Sequence, residues 1–414
     1  MVRGGTYAAI DVGTTKVVTV VGEITADAEL RILGVGIAPS AGLSKGMVEN
    51  IRDATDAIRV SVDKAQRSSG TRILSAHVGI AGNHIGCLNN RGIVAIPDRA
   101  RPITADDIAR AIDGARIVSI PTNRQILHVV PRYYVVDGQD HVTDPLGMFG
   151  QRLDVETHIV TGLETAMQNL TKCVENVGVQ VDGLVLEPLA AAEAVLQQEE
   201  KEEGVVLVDI GGGTTDLALF LEGSVFHVAV LPVGGTHITR DLVVGLRCPY
   251  QSAEIAKETY GNCIPSTVDP DEEVELAAFG SEAQKKVSRR RICEVIQARV
   301  EEILEMVMTE VKRAVHDDIV SAGFVLTGGS AKLAGVEMLA EQVTGLPARI
   351  GVPRNLHGLT DTLTDPAYAT SVGLLQWVVR EEEAMAWSGR QRPAFMGPGW
   401  WKRFSNWARI LLPE

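Results

Sequence analysis

The sequence is poor in features that mark several common classes of protein. Its five cysteines are scattered, with no Cys-x-x-Cys or Cys/His spacing, which argues against a disulfide framework and a zinc site. No stretch approaches the roughly 18 to 20 apolar residues that span a bilayer. The chain passes from Met1 straight into a strand-like segment, with no signal peptide. These absences predict a cytoplasmic protein whose membrane contact is at most peripheral.

Positive charge is also scarce. The formal net charge is −14 at pH 7, which argues against a general nucleic-acid binder, because such a protein needs a basic face. Two common nucleotide motifs are missing: the G-x-x-x-x-G-K-[ST] loop and a G-x-G-x-x-G turn after a strand. With 414 residues, 45% of them apolar and 22% charged, the chain is long enough for two or more globular domains.

Two glycine–threonine loops are present, and each follows an apolar strand that ends in an aspartate. The first, in AAIDVGTTKVVTVVG, contains Asp11, Gly13, Thr14, Thr15 and Lys16. The second, in VVLVDIGGGTTDLALFLEG, contains Asp209, Gly211, Gly212, Gly213, Thr214, Thr215 and Asp216. An apolar strand follows each loop, so the pattern predicts two β-hairpins with glycine at the turn.

The chemistry of these loops suits a nucleotide. Backbone N–H groups and hydroxyls at such turns form concave sites for phosphate oxygens. A carboxylate beside each loop can hold a divalent cation, usually through water. One such turn is more often an ordinary hairpin, but folding alone does not require the same loop twice. The pair therefore predicts a nucleotide clamped between two similar domains.

The order of the predicted elements is repeated along the chain. Each half reads as a hairpin, a third strand, a helix and a further buried strand, which supports two homologous α/β halves joined by crossing helices. The predicted ranges are 6–24, 28–38, 50–67 and 72–82 in the first half, and 205–222, 225–233, a helix from Gly235 and 321–335 in the second.

Three segments fall outside this repeat. Residues 83–160 carry a helix followed by strand-like sequence and read as an inserted α/β subdomain. Residues 236–304 read as a second insertion, helical with a loop-rich acidic edge, and a long helix is predicted from about 287 to 316. Residues 379–398 lose periodicity and collect charge, proline and glycine, as in a linker.

The C-terminal segment GWWKRFSNWARILL, residues 399–412, is amphipathic at helical spacing. Its apolar arc of about 140° contains Trp400, Trp401, Phe404, Trp407, Ala408, Leu411 and Leu412. The basic residues Lys402, Arg403 and Arg409 lie opposite or at the border, and Ile410 lies outside the arc. Tryptophans on one face and Lys/Arg on the other predict a helix in the headgroup layer of an anionic membrane. The alternative is a helix that packs on its own protein or on a partner.

The residues resemble two groupings of known proteins. The two loops and LTGGSAKLAG resemble the actin/Hsp70/sugar-kinase ATPase fold. Residues 119–153, and DPLGMFGQRL in particular, closely resemble the inserted subdomain of the FtsA family of bacterial cell-division proteins. The C-terminal helix resembles that family's membrane-targeting sequence. The resemblance extends from Ala8 to Leu412.

The resemblance implies an α/β, actin-like duplicated ATPase fold with an inserted α/β subdomain and a C-terminal amphipathic helix. The implied parts are subdomain 1A (1–82 and 161–195), 1C (83–160), 2A (196–235 and 305–378), 2B (236–304), a linker (379–398) and the membrane-targeting helix (399–412).

The resemblance also implies a function. Such a protein binds ATP with Mg²⁺, forms filaments and tethers the tubulin-like protein FtsZ to the inner membrane face at the septum. Later division proteins dock on subdomain 1C. Members of the family often hydrolyse ATP weakly or undetectably, so turnover does not follow from the site.

Roles are carried over by position. The resemblance places Gly13, Thr14, Thr15 and Lys16 at the β- and γ-phosphates, and Gly211, Gly212, Gly213 and Thr214 on their other side. It implies that Asp11 and Asp209 hold the magnesium ion through water. It also implies that the adenosine lies against Gly328, Gly329 and Ser330. Gly235 is included among the nucleotide-binding residues. Lys16 has an alternative as a strand residue that reaches solvent.

Three further residues have two interpretations each. Glu254 and Lys257, in SAEIAKETYG, match a Glu-x-x-Lys pair that reaches ribose and adenine, or form an exposed i, i+3 ion pair. Glu187, before Pro188, is the candidate to orient the attacking water. Its alternative is a carboxylate that is simply favourable at a helix start.

Other users of this fold are less compatible with the sequence. A sugar or acetate kinase needs a polar acceptor pocket and a base, and has no use for the tail. An Hsp70-type chaperone needs a peptide-binding domain after the ATPase domain. The type IV pilus assembly protein PilM is the remaining alternative, and DPLGMFGQRL with the tryptophan-rich tail favours the FtsA family over it.

Overall fold

The computed structural model describes residues 5–25, 29–98, 100–279, 284–315 and 320–388. The strands are β1 Thr6–Val12, β2 Lys16–Ile24, β3 Leu30–Pro39, β4 Leu43–Ser44, β5 Met47–Val48, β6 Ser75–Ile80, β7 Gly86–Ala95, β8 Arg124–Val136, β9 Gln139–Val142, β10 Arg152–Leu163, β11 Gln180–Leu186, β12 Val205–Ile210, β13 Thr215–Leu221, β14 Ser224–Leu231, β15 Glu273–Ala277, β16 Gln284–Ser288, β17 Gly323–Thr327, β18 Ala348–Ile350 and β19 His357–Gly358. The helices are α1 Ile51–Ser69, α2 Ala105–Ala115, α3 Glu164–Glu175, α4 Glu187–Val195, α5 Gln198–Glu203, α6 Gly235–Leu246, α7 Tyr250–Tyr260, α8 Arg289–Ala314, α9 Val336–Thr344 and α10 Ala369–Ser388.

Two large sheets share one topology. The first has the order β11-β6-β1-β2-β3-β19, and the second has the order β14-β13-β12-β17-β18. In both, a three-stranded antiparallel meander is extended by parallel strands beside its first strand. The strand order β3-β2-β1-β6-β11 of the first sheet therefore corresponds, strand by strand, to the order β14-β13-β12-β17-β18 of the second. The duplication predicted from the two loops is confirmed.

The central strands are apolar on both faces because helices cover both faces of each sheet. Ile10 and Val208 are fully buried in β1 and β12. Helix α1, which packs on the first sheet, begins and ends at clear local signals. The side chain of Asn50 accepts hydrogen bonds from the N–H groups of Arg52 and Asp53, and Gly70 ends the helix in a left-handed conformation with φ 67°.

The inserted segment forms its own small unit. A four-stranded antiparallel sheet, β7-β10-β8-β9, packs against α2 and encloses a separate apolar core around Leu153 and Val155. This unit also contacts the second half of the chain. The hydroxyl of Ser224 donates to the backbone oxygen of Arg132 at 2.7 Å, and the Arg132 guanidinium lies 4.0 Å from the ring centroid of Phe226.

Helix α4 follows β11, helix α10 follows β19, and the two helices pack on each other. Their contact is close because Gly373 lies directly against the backbone of Ala190, and a Cβ atom at position 373 would overlap the Ala190 carbonyl. The surrounding core contains residues of both sheets, such as Val185 of β11 and Leu207 of β12, together with Leu374 of α10. This crossing joins the two halves of the molecule.

We expect Gly373→Ala to lower the free energy of unfolding by about 2 kcal/mol, because the added methyl group forces the helices apart. Helix propensity alone predicts the opposite sign. Gly114→Ala in α2 is the matched control, since the nearest atoms to its Cβ would be 3.9 Å away. We expect that variant to be about 0.5–1 kcal/mol more stable. Urea unfolding at pH 7 measures both, and a Gly373→Ala protein as stable as the parent would contradict the packing account.

Two expectations about secondary structure need correction. Residues 236–304 are predicted to be helical with a loop-rich acidic edge, but that edge contains the antiparallel pair β15 and β16, and the alternating residues Val274 and Leu276 of β15 are buried. Helix α10 continues to Ser388, so residues 379–388 of the predicted linker are helical. Their sequence, VREEEAMAWS, is rich in strong helix formers, which explains the extension.

Two exclusions made from the sequence can be compared with the structure. All five cysteines are free thiols, with Cys87 partly buried and the others buried. Within the described residues, no helix is both long enough and apolar enough to cross a bilayer. The amphipathic segment 399–412 lies outside the described residues.

Candidate functional site

The first loop lies between two paired strands at the centre of the first sheet. Asp11 belongs to β1 and is opposite Val18 of β2, residues 13–15 make the turn, and Lys16 opens β2. The Asp11 side chain is buried. Burial raises its pKa, while a hydrogen bond from Ser371 and the charge of Lys16 oppose that rise. The turn thus holds a desolvated carboxyl group immediately beside a lysine.

The second loop repeats this arrangement. Asp209 of β12 is opposite Asp216 of β13, and the N–H of Gly211 donates to the carbonyl of Thr214 at 3.0 Å to close the turn. The same loop anchors the start of α6. The N–H of Gly235 donates to the carbonyl of Gly211 at 2.9 Å.

The two loops meet face to face. A Cβ atom at Gly212 would overlap the Thr15 methyl group, and one at Gly213 would lie 2.6 Å from the Thr14 Oγ1. A side chain at either position would have to displace the facing threonine, so the close approach of the opposite loop favours glycine there. Residues far apart in sequence thus form the two facing walls of a cleft between the loops, where the sequence predicts a nucleotide.

Four carboxyl groups gather around this cleft. They are Asp11, Asp209, Asp216 and Glu187. Burial raises the pKa of Asp209 to about 6, with the hydrogen bond from Thr370 opposing the rise. Burial, followed by the charge of Asp209, raises the pKa of Asp216 well above its usual value. Buried like charges repel in a low dielectric, so the cleft favours a bound cation.

Lys16 supplies positive charge at this position. Its Nζ lies 4.8 Å from the ring centroid of Tyr368, and burial lowers its pKa while Asp11 and Asp209 raise it. The Lys16 side chain is therefore only partly exposed, and it lies near carboxylates of both loops.

The residues fit a hydrated divalent cation better than a directly ligated one. Among the described residues, no group of three or more His, Cys, Asp or Glu side chains is arranged to hold a metal ion. The buried Oδ1 of Asp216, however, has no hydrogen-bond partner in the structure. Carboxylates in excess, one of them with an unpartnered oxygen, suit Mg²⁺ that keeps most of its water shell.

The residues assigned to the nucleoside lie together on the second half. Gly328 has φ 87° and lies against the Asp209 carboxylate, so no side chain fits there. The Ser330 Oγ would be 2.7 Å from a Cβ at Gly235, which places these two residues in contact distance. A Cβ at Gly329 would have no atom within 4 Å, so this residue borders open space.

Glu254 and Lys257 form a partly buried cluster rather than an exposed ion pair. The Lys257 Nζ donates to Glu254 Oε1 at 2.7 Å, to Thr239 Oγ1 at 3.0 Å and to the Gly235 carbonyl at 3.3 Å. The Lys257 side chain is only 11% exposed. The alternative of a solvated i, i+3 pair is therefore wrong, and the pair is connected to the start of α6 beside the second loop.

Glu187 is the first residue of α4 and lies on the other side of the cleft. Its Oε1 would be 3.4 Å from a Cβ at Gly79. Burial, followed by the charges of Asp11, Asp216 and Asp209, raises its pKa well above the usual value. A helix-start role alone does not explain this environment, because the carboxyl group faces three others.

Two residues that contact the aspartates belong to no recognisable sequence motif. Thr370 and Ser371, in the first turn of α10, donate hydrogen bonds to Asp209 and Asp11. Nothing in DPAYATSVG marks these hydroxyls as part of the site. Two further residues near the site have no role predicted from the sequence. Asp216 belongs to the second loop, and Thr239 lies in α6 outside any motif.

His84 lines a small cavity next to Glu187, together with Val12, Ile80 and Leu170. Its imidazole is 4% exposed and neither ring nitrogen has a partner in the structure. Burial, followed by the charge of Arg124, lowers its pKa to about 4. The native state thus holds a neutral imidazole that the unfolded chain protonates at mildly acidic pH.

We expect His84 to make the stability of the protein sensitive to acid. Because the pKa of His84 is lower in the folded state, its contribution to the free energy of unfolding is present above pH 6.5 and is lost as pH falls towards 4. Between pH 7 and pH 5, we expect His84→Leu to lose about 2 kcal/mol less stability than the parent. Urea unfolding at both pH values measures this, with His357→Gln, an exposed imidazole, as control. Parallel losses in parent and His84→Leu would contradict the assignment.

Comparison with known proteins gives matches along the chain. A family model described as "Cell division protein FtsA" matches residues 206–373, and one described as "SHS2 domain inserted in FTSA" matches residues 82–161. A relative from Pseudomonas aeruginosa, "Cell division protein FtsA", is 44% identical over 379 residues, covering 92% of this chain and 90% of the relative. The likeness therefore extends well beyond the two loops.

Solved structures show the same fold at much lower identity. The chain resembles one in the "PilM-PilN type IV pilus biogenesis complex" with a TM-score of 0.63 and 17% identity, covering 90% of this chain and 98% of that one. It resembles MreB5 of Spiroplasma citri bound to ADP with a TM-score of 0.56 and 14% identity, covering 92% and 98%. These likenesses confirm an actin-like α/β architecture.

Proposed function

The chain belongs to the FtsA family of cell division proteins, and from this premise we propose that it is an ATP-dependent assembly protein that attaches FtsZ to the membrane. The observation that carries the proposal is the meeting of two equivalent loops, Thr15 against Gly212 and Thr14 against Gly213, around buried aspartates. Such a cleft binds a nucleotide by closing two domains on it. Family membership then selects cell division from the many functions that use this fold.

ATP is the proposed ligand. Gly13, Thr14, Thr15 and Lys16 bind the β- and γ-phosphates from one half, and Gly211, Gly212, Gly213 and Thr214 bind them from the other. Gly328, Gly329 and Ser330 border the adenosine, with Gly235, Glu254 and Lys257 at its ribose and base. MreB5 of Spiroplasma citri, which shares this fold, was solved bound to ADP, and this supports a nucleotide as the ligand.

Asp11 and Asp209 hold the magnesium of the nucleotide through its water shell. When bound, the ion neutralises charge on the phosphates and on the surrounding carboxylates. The raised pKa values of the acidic groups support this assignment, because buried carboxylates without a cation are costly to ionise.

Glu187 is proposed to orient the attacking water. Burial and the charges of Asp11, Asp216 and Asp209 raise its pKa. Members of the family often hydrolyse ATP weakly, so we propose that bound ATP persists long enough to act as a signal for assembly. The site is better suited to a switch than to rapid turnover.

The C-terminal segment and the inserted subdomain are proposed to determine where in the cell the protein assembles. The tail residues Trp400, Trp401, Lys402, Arg403, Phe404, Trp407, Arg409, Leu411 and Leu412 are proposed to bind the anionic cytoplasmic face of the membrane. One short helix binds weakly, so filament formation is expected to strengthen attachment by multivalency. The inserted subdomain is proposed to recruit later division proteins to the septum.

Filament formation tests this proposal. We expect filaments on phosphatidylglycerol-containing lipid monolayers in the presence of ATP, and few or none without nucleotide, as seen by negative-stain electron microscopy. Circular dichroism establishes that the protein is folded in both samples. Dispersed monomers with ATP on the monolayer would contradict the assembly claim.

A small-molecule kinase is the second class of function that this fold permits. A phosphorylated acceptor would support it, whereas filaments without such a product count against it. The PilM alternative rests only on a fold likeness at 17% identity, and the family match gives it no support.

A further inference from the structure

The first turn of α10 contacts both aspartates of the cleft. The Thr370 Oγ1 donates to Asp209 Oδ2 at 2.9 Å, and the Ser371 Oγ donates to Asp11 Oδ2 at 2.7 Å. Thr370 is 6% exposed and Ser371 is 1% exposed. Two consecutive residues of one helix therefore hold one carboxylate from each half of the molecule.

These bonds are unusual for hydroxyl residues in a helix. Such side chains commonly bond to a backbone carbonyl of the preceding turn of their own helix. Here each bond spans a long sequence separation, 161 residues for Thr370 and 360 for Ser371. Each acceptor is a carboxylate, which makes the bond short and strong when the acid is ionised. The aspartates thus gain a fixed partner that neither loop supplies.

The start of α10 is itself held in place from several sides. The N–H of Gly328 and the hydroxyl of Thr327 donate to the Pro366 carbonyl at 3.2 Å and 3.1 Å. Tyr368 lies under the Lys16 ammonium, and Gly373 packs against α4. A support fixed in this way can orient side chains that it contacts.

We propose that Thr370 and Ser371 are positioning residues that set the orientation of Asp209 and Asp11 towards magnesium–nucleotide, and that α10 thereby couples the two loops. The inference rests on the proposed function, because it assigns a role at the same site. It predicts that each hydroxyl affects the binding of magnesium specifically. A purely structural role would weaken nucleotide binding at every magnesium concentration alike.

The test compares Thr370→Val and Ser371→Ala with the parent, using a fluorescent ATP analogue titrated over a series of magnesium concentrations. We expect the magnesium concentration that gives half-maximal binding to rise about 10-fold in each variant, as for other residues that orient metal-binding groups. Thr370→Ser and Ser371→Thr keep the hydroxyl and are expected to restore the parental midpoint. Thr309→Val is the matched control, since that hydroxyl donates only to the Glu305 carbonyl of its own helix α8.

The outcomes separate this inference from the proposed function. An unchanged magnesium midpoint in both variants overturns the inference, whether or not overall affinity falls. Failure of the hydroxyl-retaining variants to restore the midpoint also overturns it. If the parent itself binds no ATP analogue at any magnesium concentration, the proposed function fails, and the inference fails with it.

Discussion

Asp209→Asn is expected to weaken ATP binding in magnesium by about 100-fold and, at the same time, to stabilise the nucleotide-free protein. The substitution removes the charge that is proposed to hold the ion from the second loop. Asparagine keeps nearly the same shape and an oxygen that can accept the hydrogen bond from Thr370. The loss of affinity would therefore reflect charge rather than collapse of the cleft.

The gain in stability follows from the pKa of Asp209. Burial raises that pKa to about 6 from an ordinary value of 3.8. The contribution of this group is fully present below pH 3.8 and is lost as pH rises through 6. The ionised group lowers the free energy of unfolding by about 3 kcal/mol at pH 7 and by about half of that at pH 5. In the absence of magnesium and nucleotide, we expect Asp209→Asn to raise the free energy of unfolding by up to these amounts.

Two measurements check this prediction. A titration with a fluorescent ATP analogue gives the affinity, and urea unfolding in the absence of nucleotide and magnesium gives stability at pH 7 and pH 5. Asp63→Asn, at an exposed position of α1, is the control and should change neither quantity. Two results would contradict the assignment. One is an Asp209→Asn protein that binds ATP as tightly as the parent. The other is a gain in stability over the parent that is smaller at pH 7 than at pH 5.

Removal of residues 399–414 is expected to abolish binding to phosphatidylglycerol-containing vesicles. The segment contains three of the chain's five tryptophans and three basic residues with no acid before Glu414, in a protein of net charge −14. Each Lys or Arg near an anionic surface contributes about 1 kcal/mol. The remainder of the chain, being acidic, has no comparable attraction for such a surface.

A matched pair of variants tests the predicted arc within this segment. Leu411 lies inside the apolar arc and Ile410 outside it, yet alanine removes a similar apolar volume from each. We expect Leu411→Ala to weaken vesicle binding about 10-fold and Ile410→Ala to have little effect. Vesicle sedimentation measures both. Equal effects, or binding that survives the truncation, would favour the alternative of a helix that packs on protein.

The parts of the fold that were predicted correctly are those marked by local sequence patterns. Two aspartate–glycine–threonine turns between apolar strands predicted the duplicated hairpins, because glycine at positions 212 and 213 and the flanking buried strands are local features. Helix boundaries were nearly right where capping residues mark them, as at Asn50 and Gly70. The predicted linker began too early, because α10 continues ten residues into it and ends at Ser388, just before Gly389 in the sequence.

The prediction of the site was incomplete for a physical reason. Residues of the loops are recognised by local pattern, but Thr370 and Ser371 act through contacts that span 161 and 360 residues of sequence. Such contacts leave no periodicity or spacing to read. The Glu254–Lys257 pair shows the same limit, since its spacing fits a surface ion pair and only the fold places Lys257 against Gly235 and Thr239.

Vesicle flotation tests most directly whether this chain connects FtsZ to a membrane. FtsZ is mixed with phosphatidylglycerol-containing vesicles and ATP, with the full-length chain, with the chain lacking residues 399–414, or with neither, and is floated through a density gradient. We predict that FtsZ rises with the vesicles only when the full-length chain is present. FtsZ that stays at the bottom while the full-length chain rises with the vesicles would contradict the claim.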